Sequence, residues 1–308
     1  MNRRQLLQRA GLAAVALGAS RLPFGWTAPA DGSKKRVLMY TRSQAFEHSV
    51  VKRTKDGGLS LAEQTVTDLG AKHGFEVVCE KDGAIFTSKE FPKFDGFVFE
   101  TTGDLTVEKG TDSTPPMSAE GKKNLLDAVA GGKGFVGSHC GSDTFHSKGD
   151  RNQTQPHDQL DPYIAMLGGE FIIHGAQQKA PLEIVDPNWP GLKGVKDLDI
   201  NEEWYALKNF APDLHVILVM ETKDMKGDMY QRPPYPETWA RKHEKGRVFF
   251  TSLGHREDVW QSEFFQNLLV GGLSWSLGNV EADITPNIDK VTPKANELPL
   301  KKEAPPKK

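Results

Sequence analysis

The chain has 308 residues, with 39 basic and 41 acidic side chains and a formal net charge of −2. That balance excludes an electrostatic case for nucleic acid or an anionic membrane as partner. Cys79 and Cys140 are the only cysteines; two cannot make a disulfide framework, neither sits in a C-x-x-C motif, and a bridge between them is disfavoured because they fall on different predicted strands.

The amino terminus reads as an export signal. Arg3-Arg4 precedes a short apolar, small-residue run from Ala10 to Leu17, and Ala28-Pro29-Ala30 offers a cleavage site before Asp31. This pattern fits a twin-arginine-type secretory signal over residues 1–30 and predicts a periplasmic or extracellular protein. The run is too short to span a bilayer, which takes about 20 residues, so no stable membrane insertion is expected after cleavage. Residues 31–285 are expected to form one α/β domain. From Pro286 to Lys308 the sequence turns to Lys, Pro and Glu and loses its aromatics. Such a composition predicts a flexible or surface-draped tail.

Between these ends strands and helices alternate. Arg36–Tyr40 is a compact apolar run, as in a parallel strand buried on both faces. Ser49–Gly70 reads as a helix, Phe75–Cys79 as the second strand and Asp95–Phe99 as the third. Ser118 caps a helix running to Ala130, and Gly134–Ser138 is the fourth strand. Leu182–Val185, Val216–Val219 and Arg247–Thr251 are further strands, and Glu263–Leu277 is a last amphipathic helix. This order predicts an open, mostly parallel sheet with helices on both faces, of the flavodoxin-like kind. Ligands of such sheets bind beyond the carboxyl ends of the strands.

Those ends are rich in histidine. His48 follows the first strand, His139 the fourth and His255 the last strong one, while His174 and Glu202-Glu203-Trp204-Tyr205 lie in loops that could fold over the same rim. Gly137-Ser138-His139-Cys140-Gly141 has the shape of a nucleophile elbow, but its centre is histidine. Cys140 stands one place late, which turns its side chain from the apex and argues against covalent thiol catalysis.

Neutral imidazoles with a carboxylate suit zinc, manganese and related divalent ions, and His48, His139, His174 and His255, with Glu203, are the candidate ligands. Two other readings of the set stay open: metal-free acid, base and hydrogen-bond roles, or structural caps. Trp204, Tyr205 and Trp239 are candidates to stack on the face of a ligand ring, and Arg241 to bind a ligand oxygen. Asp143 could orient His139 or His146. No nucleotide cofactor is expected, and the sequence leaves self-association into a homo-oligomer open.

Several blocks in order resemble one family, the ThuA-like (trehalose utilisation) proteins. They are Val37–Tyr40 with Phe46-Glu47-His48, Gly131–His139, Leu167–Phe171 with His174, Asn201–Tyr205, Pro236–Arg241, Gly246–Phe249, Leu253-Gly254-His255 and Gly272–Trp275. The resemblance spans roughly Arg36 to Gly278. It implies a class I glutamine amidotransferase-like fold without the catalytic cysteine, and a role in handling disaccharides, including oxidised (keto) sugars. An enzyme of this kind would be a lyase, isomerase or hydrolase using His139, Glu203 and Asp143; the alternative is a non-catalytic periplasmic carbohydrate-binding or interaction module. Many members carry Asp-Glu before the tyrosine where this chain has Glu202-Glu203-Trp204-Tyr205, and Glu203 is the favoured equivalent of the functional acid.

Overall fold

The computed structural model describes residues 34–196 and 198–299. The export signal predicted over residues 1–30 lies outside the described residues. In chain order the elements are β1 (Lys35–Tyr40), α1 (Leu61–His73), β2 (Phe75–Glu80), β3 (Gly96–Phe99), α2 (Ala119–Ala130), β4 (Gly134–Ser138), α3 (Pro162–Leu167), β5 (Glu170–His174), β6 (Gln178–Ile184), β7 (Leu198–Glu202), β8 (Tyr205–Lys208), β9 (His215–Met220), β10 (Tyr235–His243), β11 (Gly246–Thr251), α4 (Glu257–Gln261), α5 (Glu263–Ser276) and α6 (Ile288–Val291).

Among the described residues nine strands form one sheet in the order β2-β1-β3-β4-β11-β10-β9-β6-β7, while β5 and β8 pair separately. β2, β1, β3, β4 and β11 run parallel. The remaining four strands are antiparallel to their neighbours. The expected open α/β sheet is therefore present, with a parallel half and an antiparallel half. Helices α1, α4 and α5 pack together, and α2 packs with α3. The chain winds outward from β1 to β2 and in the opposite direction from β3 to β4. Right-handed crossovers then put α1 and α2 on opposite faces, and the crevice opens where the winding reverses, between β1 and β3. Val37, Leu38, Met39 and Tyr40 are fully buried, as are Phe97, Val98 and Phe99, which is why these strands read as unbroken apolar runs.

One expected helix needs correction. The helix expected from Ser49 starts only at Leu61. Lys55-Asp56-Gly57-Gly58 forms a turn, with Gly57 in the left-handed region at φ +83°. Ser60 then caps α1 in a reciprocal box with Glu63, leaving Ser49–Val51 as a short 3-10 turn.

The described part of the tail, expected to be flexible or surface-draped, lies over the domain and is anchored as far as Asn296. Asn287 brackets β9, its Oδ1 accepting from Val216 N at 2.6 Å and its Nδ2 donating to Val216 O at 3.0 Å. Asn296 brackets Phe210 in the same way, at 3.0 and 3.1 Å. Ile288 and Ala295 are buried beneath this strap. Amide pairing with the backbone of Val216 and Phe210, rather than a large apolar face, holds it down. No helix among the described residues is long and apolar enough to cross a membrane.

Candidate functional site

The parallel strands deliver their carboxyl-end residues to one place. β4 ends at Ser138, and His139 follows with φ +37°, a left-handed conformation that costs most side chains about 1–2 kcal/mol. Buried Glu100, just after β3, holds the residues on either side: the Ser138 hydroxyl and the Cys140 thiol (3.2 Å) both donate to its carboxyl. Burial pushes the Glu100 carboxyl up to about 8, against the pull of those bonds. The expected strand-to-helix elbow thus exists, with an imidazole at its apex. His139 Nδ1 lies 2.9 Å from the carbonyl of Ser252. A carbonyl only accepts, so Nδ1 carries the proton and Nε2 is left with a lone pair. The Ser252 hydroxyl donates to Glu237 at 2.8 Å, which steadies that carbonyl from behind.

His48 and His255 close round this lone pair. Their ring centres are 5.0 Å (His48–His139), 5.1 Å (His48–His255) and 5.3 Å (His139–His255) apart, all edge to face. Glu203 Oε2 lies 3.7 Å from His139 Nε2 and 3.1 Å from His255 Nδ1. Donor atoms of His48, His139, Glu203 and His255 all fall within 4.8 Å of one another. His48 Nδ1, His139 Nε2 and His255 Nδ1 are buried without a hydrogen-bond partner among the described residues; the His255–Glu203 approach is close but misaligned. Buried polar atoms are rarely left so, and three within one cluster of side chains mark a place suited to binding something else.

The electrostatics suit a cation. Burial, reinforced by His139 and His255, lowers His48 to about 2, so it is neutral at ordinary pH. Burial would raise Glu203, but contacts with His139 and His255 and the nearby imidazoles outweigh it and hold the carboxyl well below the ordinary range. Burial would lower His255, yet Glu203 raises it overall. A tetrahedral zinc shell at about 2.0–2.1 Å places its ligand atoms roughly 3.3 Å apart, so the donors need draw in by at most about 1.5 Å. Three imidazoles and one carboxylate fit a divalent ion.

Glu202 and Glu203 divide their roles because neighbours on extended chain point to opposite sides. Glu202 Oε2 accepts from the backbone of Gly254 (3.1 Å) and His255 (3.2 Å), so it positions the His255 loop while Glu203 faces the rings. Gly254 itself sits at φ +130°, and a Cβ there would come 3.4 Å from His139 Cβ.

A cavity of about 240 Å³ opens over the set, lined by Phe46, His48, Asp143, Phe171, His174, Glu203, Tyr205 and His255. A larger cleft of about 580 Å³ around Thr222, Tyr230 and Arg232 shares none of these residues and gathers no comparable donor set. His174, expected among the ligands, is not one of the four converging donors. Its side chain is half-exposed, and Nδ1 lies 3.3 Å from Glu203 Oε1. Asp143 is in the cavity wall but orients His146, at 2.9 Å, rather than His139.

Of the expected sugar contacts only Tyr205 lines the cavity. Its ring centre lies 4.0 Å from that of His139. Trp204 and Trp239 are fully buried. Their indoles donate to Gln178 O (2.8 Å) and Leu167 O (2.9 Å), as core tryptophans with satisfied N–H groups do. Arg241 is buried too, donating to the carbonyls of Ala165 and Met166 at the end of α3 and pairing with Asp213 at 3.0 Å. Phe46, exposed at the mouth, and Phe171 were missed as wall residues. The sequence signal for Phe46 was its place two residues before His48 at a strand end.

Cys79 and Cys140 are free thiols. Burial, and then Glu100, push Cys140 well above the ordinary thiol range, so it is no thiolate at neutral pH. Cys140→Ser keeps a donor for Glu100. It is expected to leave metal uptake unchanged and to shift the melting temperature by no more than ~2–4 °C, about 1 kcal/mol for a chain of this size. Loss of metal uptake in this variant would restore the thiol to the site.

The comparisons agree with this fold. The ThuA family profile, described as trehalose utilisation, matches residues 36–276. No curated protein matches the sequence. A ThuA-like protein from Bacteroides uniformis superposes with a TM-score of 0.58 at 16% identity, covering 81% of this chain and 94% of its own. A second, from Parabacteroides merdae, gives 0.52 at 16%, covering 82% and 93%. The fold is therefore that of the ThuA-like proteins, a glutamine amidotransferase-like α/β sheet. By the extent of the sequence match and the shared fold, the chain belongs to the ThuA family, which is linked to trehalose utilisation.

Proposed function

We propose that this protein binds a divalent ion, zinc or manganese, through His48, His139, His255 and Glu203, and acts there on one ring of a disaccharide or keto-sugar. The observation that carries the reading is the convergence of three buried, partnerless imidazole nitrogens on one carboxylate beneath an open cavity. When bound, such an ion polarises a sugar carbonyl or hydroxyl oxygen. The cavity is smaller than the ~300–1,000 Å³ that engulfs drug-sized ligands, which favours one ring inside and the other at the mouth. Phe46, Phe171 and Tyr205 supply the apolar wall that a pyranose face requires.

His174 is the residue best suited to move a proton. It is solvent-accessible, borders the cavity and leans on Glu203. Proton transfer at a sugar carbon or oxygen fits isomerisation, elimination or hydrolysis, and the buried Cys140 leaves no thiol for covalent attack. Export belongs to the same proposal. The Arg3-Arg4 segment supports a twin-arginine route to the periplasm, which would carry the protein folded and with its ion in place. A non-catalytic sugar-binding role uses the same cavity walls.

Elemental analysis of full-length protein purified from its producing cells is expected to find close to one zinc or manganese per chain. Turnover of a 3-keto-disaccharide is expected to be lost on chelation and restored by the ion. Absence of metal, with no uptake on addition, would reject the ion; bound metal and bound sugar without turnover would favour the binding role.

A further inference from the structure

Asp143 in the cavity wall belongs to a charged network, running behind it, that is separate from the converging donors. Asp143 Oδ1 accepts from His146 Nε2 and from Arg151 Nη2, each at 2.9 Å. His146 Nδ1 lies 3.2 Å from Glu170 Oε1. With a carboxylate oxygen at each ring nitrogen, both nitrogens must donate, and His146 is an imidazolium. Glu170 is closed off further by Ser147 N (3.0 Å) and Asn209 Nδ2 (2.7 Å). The Arg151 guanidinium lies 5.0 Å above the ring of Phe171, a wall residue. Two carboxylates and two cations leave this network without net charge. Its chain of contacts ends in unused groups: Asp143 Oδ2, and Nε and Nη1 of the half-exposed Arg151, make no hydrogen bond among the described residues. Asp143 lines the cavity, and Arg151 is held beside it and over the ring of Phe171, so acceptor and donor stand side by side at its edge. A vicinal diol satisfies such a pair, one hydroxyl donating to the carboxylate and its neighbour accepting from the guanidinium.

We propose that Asp143 and Arg151 form a hydroxyl-binding subsite that grips a vicinal diol of an uncharged sugar ring and so orients that ring toward the histidines. This rests on the sugar reading above. His146 and Glu170 are positioning residues, fixing Asp143 through Oδ1 so that Oδ2 is left to bind.

The test is calorimetric binding of trehalose and its monodeoxy derivatives to the full-length protein in zinc-containing buffer. In wild type, removing a hydroxyl from the gripped pair is expected to weaken binding at least about 10-fold, as for a lost hydrogen bond to a charged group. In Asp143→Ala that deoxy sugar and trehalose are expected to bind equally. Asp143→Asn, which keeps an acceptor, is expected to restore most of the discrimination. Arg151→Ala, a change at a half-exposed side chain, tests the donor without threatening the fold and is expected to erase the penalty at the neighbouring hydroxyl. Unchanged deoxy penalties in Asp143→Ala and Arg151→Ala would overturn the subsite while leaving the sugar reading intact. Failure of wild type to bind any of these sugars would overturn the sugar reading and the subsite with it.

Discussion

Replacing His139 by asparagine is expected to cut metal content from near one ion per chain to background while leaving the metal-free fold nearly as stable as before. The two halves of that result have separate causes. His139 presents the lone pair at the elbow apex, with its tautomer fixed by Ser252 O. Losing an outer hydrogen-bond partner of a ligand already costs roughly 10–100-fold in affinity, and losing the ligand itself costs more. Stability responds differently. Nε2 is buried without a partner, so removing it relieves an unsatisfied group worth about 1–3 kcal/mol, which offsets the packing lost with the ring. Asparagine also tolerates the left-handed backbone at φ +37° better than alanine does. Alanine at the same position is expected to lose metal equally and to melt lower. Metal content by elemental analysis and unfolding by circular dichroism check both points. Full metal retention in either variant would remove His139 from the ligand set.

Glu203→Gln is expected to weaken metal binding by at least about 10–100-fold and to move its pH dependence toward acid. Glu203 raises His255, so in wild type that imidazole keeps its proton to higher pH. Metal needs the neutral ring, so uptake grows as pH rises through the raised His255 value. Without the carboxylate, burial remains and lowers His255, and the midpoint of uptake falls. His48 plays no part in this shift, being neutral down to about pH 2 through burial. A zinc competition titration across pH separates weaker binding from the displaced midpoint. An unmoved midpoint would show that Glu203 does not set the state of His255.

The site's outline was legible because position along a parallel strand is legible. The runs before His48, His139 and His255 are continuous and apolar, and such strands end on one edge whatever their spacing in sequence. What failed was the inference from residue type to exposure. Trp204, Trp239 and Arg241 are residues that pockets favour, yet all three are buried, the indoles bonded to backbone carbonyls and the guanidinium to two carbonyls and Asp213. The missed strand β10 shows the same limit. Glu237, Thr238 and Arg241 break its apolar pattern, and only tertiary partners such as Ser252, Thr251 and Asp213 make their burial tolerable. Phe46 erred in the other direction, a large aromatic left in water at the cavity mouth.

β11 is the last strand in sequence, yet it occupies the middle of the nine-stranded sheet, with β4 on one side and β10 on the other. The two halves of the sheet cannot join until it inserts, and His255 arrives only behind it. During synthesis the emerging chain therefore carries His48, His139 and Glu203 for a long interval with no complete binding centre. Pairings between residues so distant in sequence form slowly. On the proposed ion-binding reading, capture would be deferred to a nearly finished molecule, and shortened translation products ending before β11 would lack the His255 ligand.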